Sequence, residues 1–180
     1  MQKRGKFQKD VRMNIEEFNN AIKSKLYGAY EIKEDVDHYG NDNSWIILHE
    51  KKDMEVIAKA VKAFKGRCVV ATGYFNEADN THTVIYHFDI DGMIINVQID
   101  TDDKTVISIT PILRSADWAE RELREMYDVE PIGHPTKDRL FLDYSIAKGV
   151  LNEYISLSKM QMGVSDTDVL WNQVNKGVKA

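Results

Sequence analysis

The sequence predicts an α+β fold: a two-layer domain with a mainly antiparallel sheet, helices on one face, and an extended C-terminal segment. Three observations carry this. Residues 93–100, "MIINVQID", alternate Met93, Ile95, Val97 and Ile99 against Asn96, Gln98 and Asp100, the two-residue period of a half-buried strand. Ile57, Ala60, Val61 and Phe64 instead recur at the spacing of one helix face. The patterns follow the order α-β-β-α-β-β-β-β-α, in which a run of strands and a few helices separate into two layers.

The first helix starts at Asn14, a good cap, with Glu17 three residues on as the reciprocal half of a capping box. Ile15, Phe18, Ile22 and Leu26 lie near one face. "AYEIKEDV" alternates as a strand, "DHYGNDN" is turn chemistry, and "SWIILHE" is a strand apolar on both faces for part of its length, which suggests a central position. Asp53 caps the second helix, and Lys65-Gly66 ends it. A four-strand meander follows: "RCVVATGYF", "HTVIYHFDI", "MIINVQID" and "TVISITP", with a two-residue hairpin at Asp91-Gly92 and Pro111 closing the last strand. One sheet face is polar enough for water, and the other calls for a helix layer. Ser115 caps the third helix, whose apolar stripe is Ala119, Leu123, Met126 and Tyr127, with Glu120 and Arg124 as a favourable i,i+4 pair. "TKDRLFLDY" is extended, and residues 145–162 read as a fourth helix. In residues 163–180 a short amphipathic turn starts near Ser165 and carries Trp171.

Composition narrows the function classes. The 180 residues are 43% hydrophobic and 29% charged, ordinary for one globular domain. A net charge of -5 argues against a polyanion-binding chain, and nucleic acid is not an expected partner. No apolar run approaches the roughly 18 residues of a membrane span. The first residues are basic without an apolar core, so no secretory signal is expected and a cytoplasmic location is the default. Residues 1–12 hold Lys3, Arg4, Lys6, Lys9 and Arg12 against Asp10, a pattern that reads as a flexible solvated segment or as a basic strap on an acidic partner or lipid headgroups. Cys68 is the only cysteine, so an internal disulfide or a thiolate-held cluster is excluded.

His82 and His87 sit an odd number apart on one strand and point to opposite faces, so they do not share a metal. No metalloprotease helix motif, phosphate loop or nucleophile elbow occurs. His134, between Gly133 and Pro135, is the best lone histidine, with Asp138 and Asp143 near in sequence. It reads as a structural imidazole fixing a turn, as a general acid or base, or as an interface residue. The charged set Glu120, Arg121, Glu122, Arg124 and Glu125 reads as a solvated helix face, or as a surface whose arginines grip carboxylates on a partner.

The stretch "SADWAERELREMYDVEPIGHPTKDRLFLDY" resembles the signature region of the C-type, thirty-kilodalton subunit family of NADH-quinone oxidoreductase, a small peripheral-arm component of respiratory complex I. It is similar as well to the homologous small subunits of membrane-bound, energy-converting [NiFe] hydrogenases. The residues that carry the resemblance are Trp118, Glu120, Arg121, Glu122, Gly133, His134, Pro135, Arg139, Leu140, Asp143 and Tyr144, and it extends over about residues 67–144. Tyr127-Asp128 stands where the family usually has Phe-Gly, and aspartate adopts the left-handed conformation less readily than glycine.

The resemblance implies an accessory subunit with no cofactor of its own. Its partners would be the large catalytic subunit, which bears the [NiFe] site or its quinone-site counterpart, and the iron–sulfur small subunit. It would sit peripherally on the cytoplasmic side of the membrane and reach the membrane arm only indirectly. The expected partner interface is Trp118, Glu120, Arg121, Glu122, Arg124, Gly133, His134, Pro135, Arg139, Asp143 and Tyr144, with Trp171 as an anchor. The expected organisation is a basic N-terminus over residues 1–12, an α+β domain over 13–144, and a C-terminal helix and docking tail over 145–180. A free-standing enzyme using His134 with Asp143 or Glu122, and a regulatory binding module, remain as alternatives.

Overall fold

The computed structural model describes residues 15–36, 38 and 42–152. Two expectations, the Asn14 cap and the amphipathic turn near Ser165, fall outside them, as do the basic residues 1–12 and Trp171. Helix α1 (Ile15–Lys23) is followed by strands β1 (Tyr30–Val36) and β2 (Asp42–Leu48), helix α2 (Asp53–Ala63), and strands β3 (Arg67–Asn76), β4 (Thr81–Ile90) and β5 (Met93–Thr101). A three-residue strand β6 (Thr105–Ile107), a single 3-10 turn (Arg114–Ala116), helix α3 (Asp117–Met126) and a three-residue strand β7 (Glu130–Ile132) complete the order.

The main sheet has the order β1-β2-β5-β4-β3. All neighbours are antiparallel except β2 and β5, which run parallel because α2 and the β3–β4 hairpin intervene. The central position expected for "SWIILHE" is therefore found. Register aligns one inward row, Ile46 beside Val97, Val97 beside Tyr86, Tyr86 beside Ala71. These side chains meet Phe18 and Ile22 of α1, Ile57 and Val61 of α2, and Leu123 of α3 in one apolar core. Burying each of the larger ones contributes about 2 kcal/mol. The opposite face carries a polar ladder: Thr72 Oγ1 meets His87 Nε2 at 3.1 Å, and His87 Nδ1 meets Asn96 Oδ1 at 2.7 Å. The two-layer α+β architecture is thus the one the alternation predicts.

Asp91 (φ 53°) and Gly92 (φ 84°) are both left-handed, the turn that a tight hairpin with matching strand twist requires. Left-handed Lys65 (φ 58°) ends α2, and Gly66 follows it for a different reason. A Cβ there would lie 2.7 Å from Ile90 Cγ1 and 2.9 Å from the Asp89 carbonyl oxygen, so only glycine allows this approach.

Several local expectations are corrected. "TVISITP" is not a fourth meander strand: only Thr105–Ile107 are extended, and they pair in parallel with Glu130–Ile132 in a separate two-stranded sheet. Asp53 does not cap α2. It is fully buried, and its carboxylate accepts from the amides of Tyr27 (2.8 Å) and Gly28 (3.0 Å), pinning the loop that leaves α1. Ser115 does not cap α3, because the 3-10 turn carries the chain into the helix. Its Oγ accepts from the Cys68 amide at 3.0 Å and fastens the edge strand. The predicted fourth helix is absent over residues 145–152, which are turns and bends. Two of their amides are satisfied by α3: Gly149 N–H donates to Glu125 O at 2.9 Å and Leu151 N–H to Met126 O at 2.9 Å, while Ile146 and Asn152 close local turns onto Asp143 and Gly149. The rest of that prediction lies outside the described residues.

Candidate functional site

Helix α3 is short and charge-dense, yet Glu120, Arg124 and Glu125 are buried along with Ala119, Leu123 and Met126. The burial arises because three stretches of chain wrap the helix: residues 105–113 before it, 128–134 after it, and 136–152 along its outer side. Each charged side chain on those sides is used to bind the main chain of a wrapping segment.

Glu120 is fully buried against the sheet. Its carboxylate accepts from Ser108 Oγ (2.6 Å), the Ile109 amide (2.7 Å), Thr110 Oγ1 (2.6 Å) and Tyr86 Oη (3.2 Å). It therefore organises the loop after β6. Burial, then the neighbouring Glu120 charge, pushes the Tyr86 phenol well above its usual range. The same two causes in the same order push the Cys68 thiol up to about 12. The i,i+4 pairing expected between Glu120 and Arg124 does not form, because each has a nonlocal partner. Arg124 Nε lies 3.0 Å from the Glu130 carboxylate and Nη1 donates to the Thr136 carbonyl at 2.9 Å.

Farther along, Arg121 Nη2 donates to the carbonyl of Arg139, and Glu125 accepts from the amides of Phe141 (3.2 Å) and Leu142 (3.0 Å). Asn152 closes the wrap by donating from Nδ2 to the Tyr127 carbonyl at 2.9 Å. Asp128, where the helix ends, has φ 56°, so the left-handed position is present with aspartate in it. It also pairs with Lys104 at 3.1 Å.

His134 is reached through Gly133, whose φ of 86° turns the chain back. The imidazole is wholly enclosed. Nδ1 faces the main chain of Thr136, 3.0 Å from its amide nitrogen and 2.6 Å from its carbonyl oxygen; the tautomer decides which of the two it engages. Nε2 lies 3.3 Å from Asp117 Oδ1 and 3.9 Å from Glu120 Oε2. The carboxylates beside the ring are therefore Asp117 and Glu120, not Asp143, Asp138 or Glu122.

The predicted set divides by exposure. Glu120, Arg124 and His134 are buried within the chain, and Arg121 and Arg139 are half-buried. Glu122 is half-buried too, while Gly133, Pro135 and Asp143 are exposed. Trp118 is 70% exposed and Tyr144 74% exposed, the latter beneath the Arg139 guanidinium, which sits 5.7 Å from its ring centroid. Phe141, not anticipated as a surface residue, is 62% exposed. Asp143 is held below its ordinary value by hydrogen bonds from the Ser145 amide and hydroxyl. Sequence reasoning missed the roles of Glu125, Ser108 and Thr110. The signal for the latter two was present: "SIT" places two hydroxyls around an apolar residue immediately before the helix that carries a buried acid.

Between α3, β7 and residue 148 lies an open cleft of about 600 Å³, lined by Arg124, Glu130, Ile132, Gly133, Lys137 and Lys148 among others. Among the described residues, no three His, Cys, Asp or Glu side chains are grouped to hold a metal ion. No described helix is long and apolar enough to cross a membrane.

Fold and site together define a small α+β domain in which a charged helix secures the surrounding chain. The family described as "Respiratory-chain NADH dehydrogenase, 30 Kd subunit" matches residues 47–159, well over half the chain, and the chain belongs to that family. It is similar to the C-type subunit of NADH-quinone oxidoreductase from Caulobacter sp. (strain K31), with 34% identity over 73 residues, 39% of this chain and 34% of that protein. It is similar also to "Hydrogenase-4 component G" of Escherichia coli (strain K12), 33% identical over 35% of this chain and 12% of that protein. "Formate hydrogenlyase subunit 5" of the same organism is 40% identical over 27% of this chain and 8% of that protein. The chain thus spans about a third or less of the length of these curated relatives. A solved structure, "Nqo5 of the trypsin-resistant fragment (1-134)", superposes with a TM-score of 0.54 at 20% identity over 69% of this chain and 99% of that one, a likeness of fold.

Proposed function

We propose that this chain is an accessory subunit in the hydrophilic arm of a membrane-bound oxidoreductase complex, of the NADH-quinone oxidoreductase or the energy-converting [NiFe] hydrogenase type. It carries no redox group itself. It packs against the large catalytic subunit and the iron–sulfur small subunit, and fixes their orientation on the cytoplasmic side of the membrane.

The observation that carries this reading is the family match over residues 47–159. The hydrogenase relatives support it further. In "Hydrogenase-4 component G" and "Formate hydrogenlyase subunit 5" the similar stretch is 12% and 8% of a much longer polypeptide. A similar stretch built into a longer polypeptide there fits a domain held noncovalently against a larger partner here. The docking surface in this reading is the exposed side of α3 and the irregular segment it secures, with Trp118, Phe141 and Tyr144 as contact residues. The enclosed His134 ring does not favour a free-standing enzyme, because a general acid or base has to reach its substrate.

Affinity purification from native membranes in mild detergent tests this. The expected result is co-elution of a large subunit and an iron–sulfur subunit, with bound nickel marking a hydrogenase. Elution of the chain alone would overturn the proposal.

A further inference from the structure

We infer that the cleft beside β7 is a receptor for one acidic side chain, glutamate or aspartate, presented by the large subunit. The inference rests on the functional reading above and names the chemistry of one contact in it.

Three cations, Arg124, Lys137 and Lys148, line the cleft against one anion, Glu130. Glu130 is already shared: Arg124 approaches its carboxylate at 3.0 Å and Lys148 at 3.6 Å. Arg124 is the decisive residue. It is only 4% exposed. Two of its guanidinium nitrogens, Nε and Nη1, are bonded to Glu130 and to the Thr136 carbonyl. Among the described residues Nη2 has no acceptor. A buried guanidinium N–H without an acceptor is costly, because its bonds to water are lost and nothing replaces them. The cleft therefore has surplus positive charge, and Arg124 in its wall adds a buried guanidinium with one donor unmatched. An incoming carboxylate supplies the opposite charge to that arginine and to Lys137 and Lys148.

The walls identify the source of that carboxylate. Pro131 and Ile132 form the apolar part of the cleft, and Ile132 is 50% exposed. The methylene stem and flanking chain of an acidic residue would cover Ile132, whereas a mineral anion would leave it wet. An apolar border around a desolvated charge is the arrangement expected of a protein contact.

The test uses the full chain, with K137E/K148E as the perturbation, since both lysines are exposed; Lys148 also meets Glu130 at 3.6 Å, so K137E alone, which leaves that pair intact, should show the same effects in weaker form. In NMR titrations, N-acetyl-glutamate N-methylamide should shift the amides of Ile132 and Gly133 saturably, and K137E/K148E should abolish the shift. Shifts that never saturate, that survive the double substitution, or that are larger with inorganic phosphate at equal concentration would overturn the site. In co-purification, K137E/K148E should weaken capture of the large subunit about tenfold and flatten its salt dependence. Unchanged capture would overturn the assignment to the large subunit. Should the unsubstituted chain capture no larger polypeptide, the functional reading fails, and the titration still judges the cleft's chemistry separately.

Discussion

Glu120 accepts a hydrogen bond from the amide of Ile109 across 2.7 Å, in a part of the interior where the carboxylate is fully buried. The same carboxylate also accepts from the hydroxyls of Ser108, Thr110 and Tyr86. Truncation would leave all of these donors buried and unsatisfied. Glu120→Ala should cost about 3 kcal/mol or more. Glu120→Gln should cost less, since one oxygen still accepts. Urea unfolding curves for both variants decide this; a Glu120→Ala loss below about 1 kcal/mol would show that the donors find other partners.

Glu125 joins two stretches of the wrap. Its side chain accepts from Phe141 and Leu142, and its carbonyl accepts from Gly149. Glu125→Ala removes only the side-chain bonds, so it should loosen the stretch around Phe141 and Leu142 without unfolding the sheet, a local opening. Hydrogen exchange should accelerate at Phe141 and Leu142 and remain slow in β4 and β5. Equal acceleration in the sheet would mean that the wrap and core unfold together.

His82 is buried on β4, and burial lowers its imidazole from the ordinary value of 6.5, with Lys104 adding to the effect. The unfolded chain therefore binds a proton more readily than the folded one. Stability should be unaffected by this group above pH 6.5, fall as pH drops below it, and level off beneath the lowered folded value. Urea midpoints across that window, compared with His82→Gln, test the assignment: the variant should lose the slope.

The Cys68 thiol, pushed up to about 12, is protonated at pH 8 and 3% exposed. It should resist iodoacetamide in the folded chain and react once urea unfolds it. Rapid alkylation of the folded chain would show that the edge strand opens at Cys68.

Trp118 is 70% exposed and lies outside the hydrogen-bonded wrap. Trp118→Ala should change stability by less than about 0.5 kcal/mol. Capture of the large subunit should nevertheless weaken. Unimpaired capture would remove Trp118 from the docking surface. Arg121→Ala should in addition cost about 1 kcal/mol of stability, because Arg121 also holds the Arg139 carbonyl.

The sheet was legible in the sequence because its signals are local. Alternation in "MIINVQID" and the left-handed pair Asp91-Gly92 each depend on residues a few positions apart. What escaped depends on distant partners. Thr105–Ile107 read as a fourth meander strand because their alternation is genuine, but their pairing partner, Glu130–Ile132, lies beyond an intervening helix. The solvated-face reading of the α3 charges fails for the same reason. Glu120, Arg124 and Glu125 look like a solvated face until residues 105–113 and 128–152 are laid over them. Asp128 is the converse case: it departs from the family's usual glycine, yet aspartate adopts there the left-handed conformation that glycine favours.

The return of Gly149 to Glu125 and of Asn152 to Tyr127 has a geometric consequence. Wherever the chain goes after residue 152, it departs from a fixed origin beside the end of α3. A polypeptide appended there starts with its position and heading already defined, so joining it to a neighbour sacrifices little translational freedom. Such a root is equally suited to a separate subunit and to a genetic fusion; stretches similar to this chain do lie within the much longer "Hydrogenase-4 component G" and "Formate hydrogenlyase subunit 5".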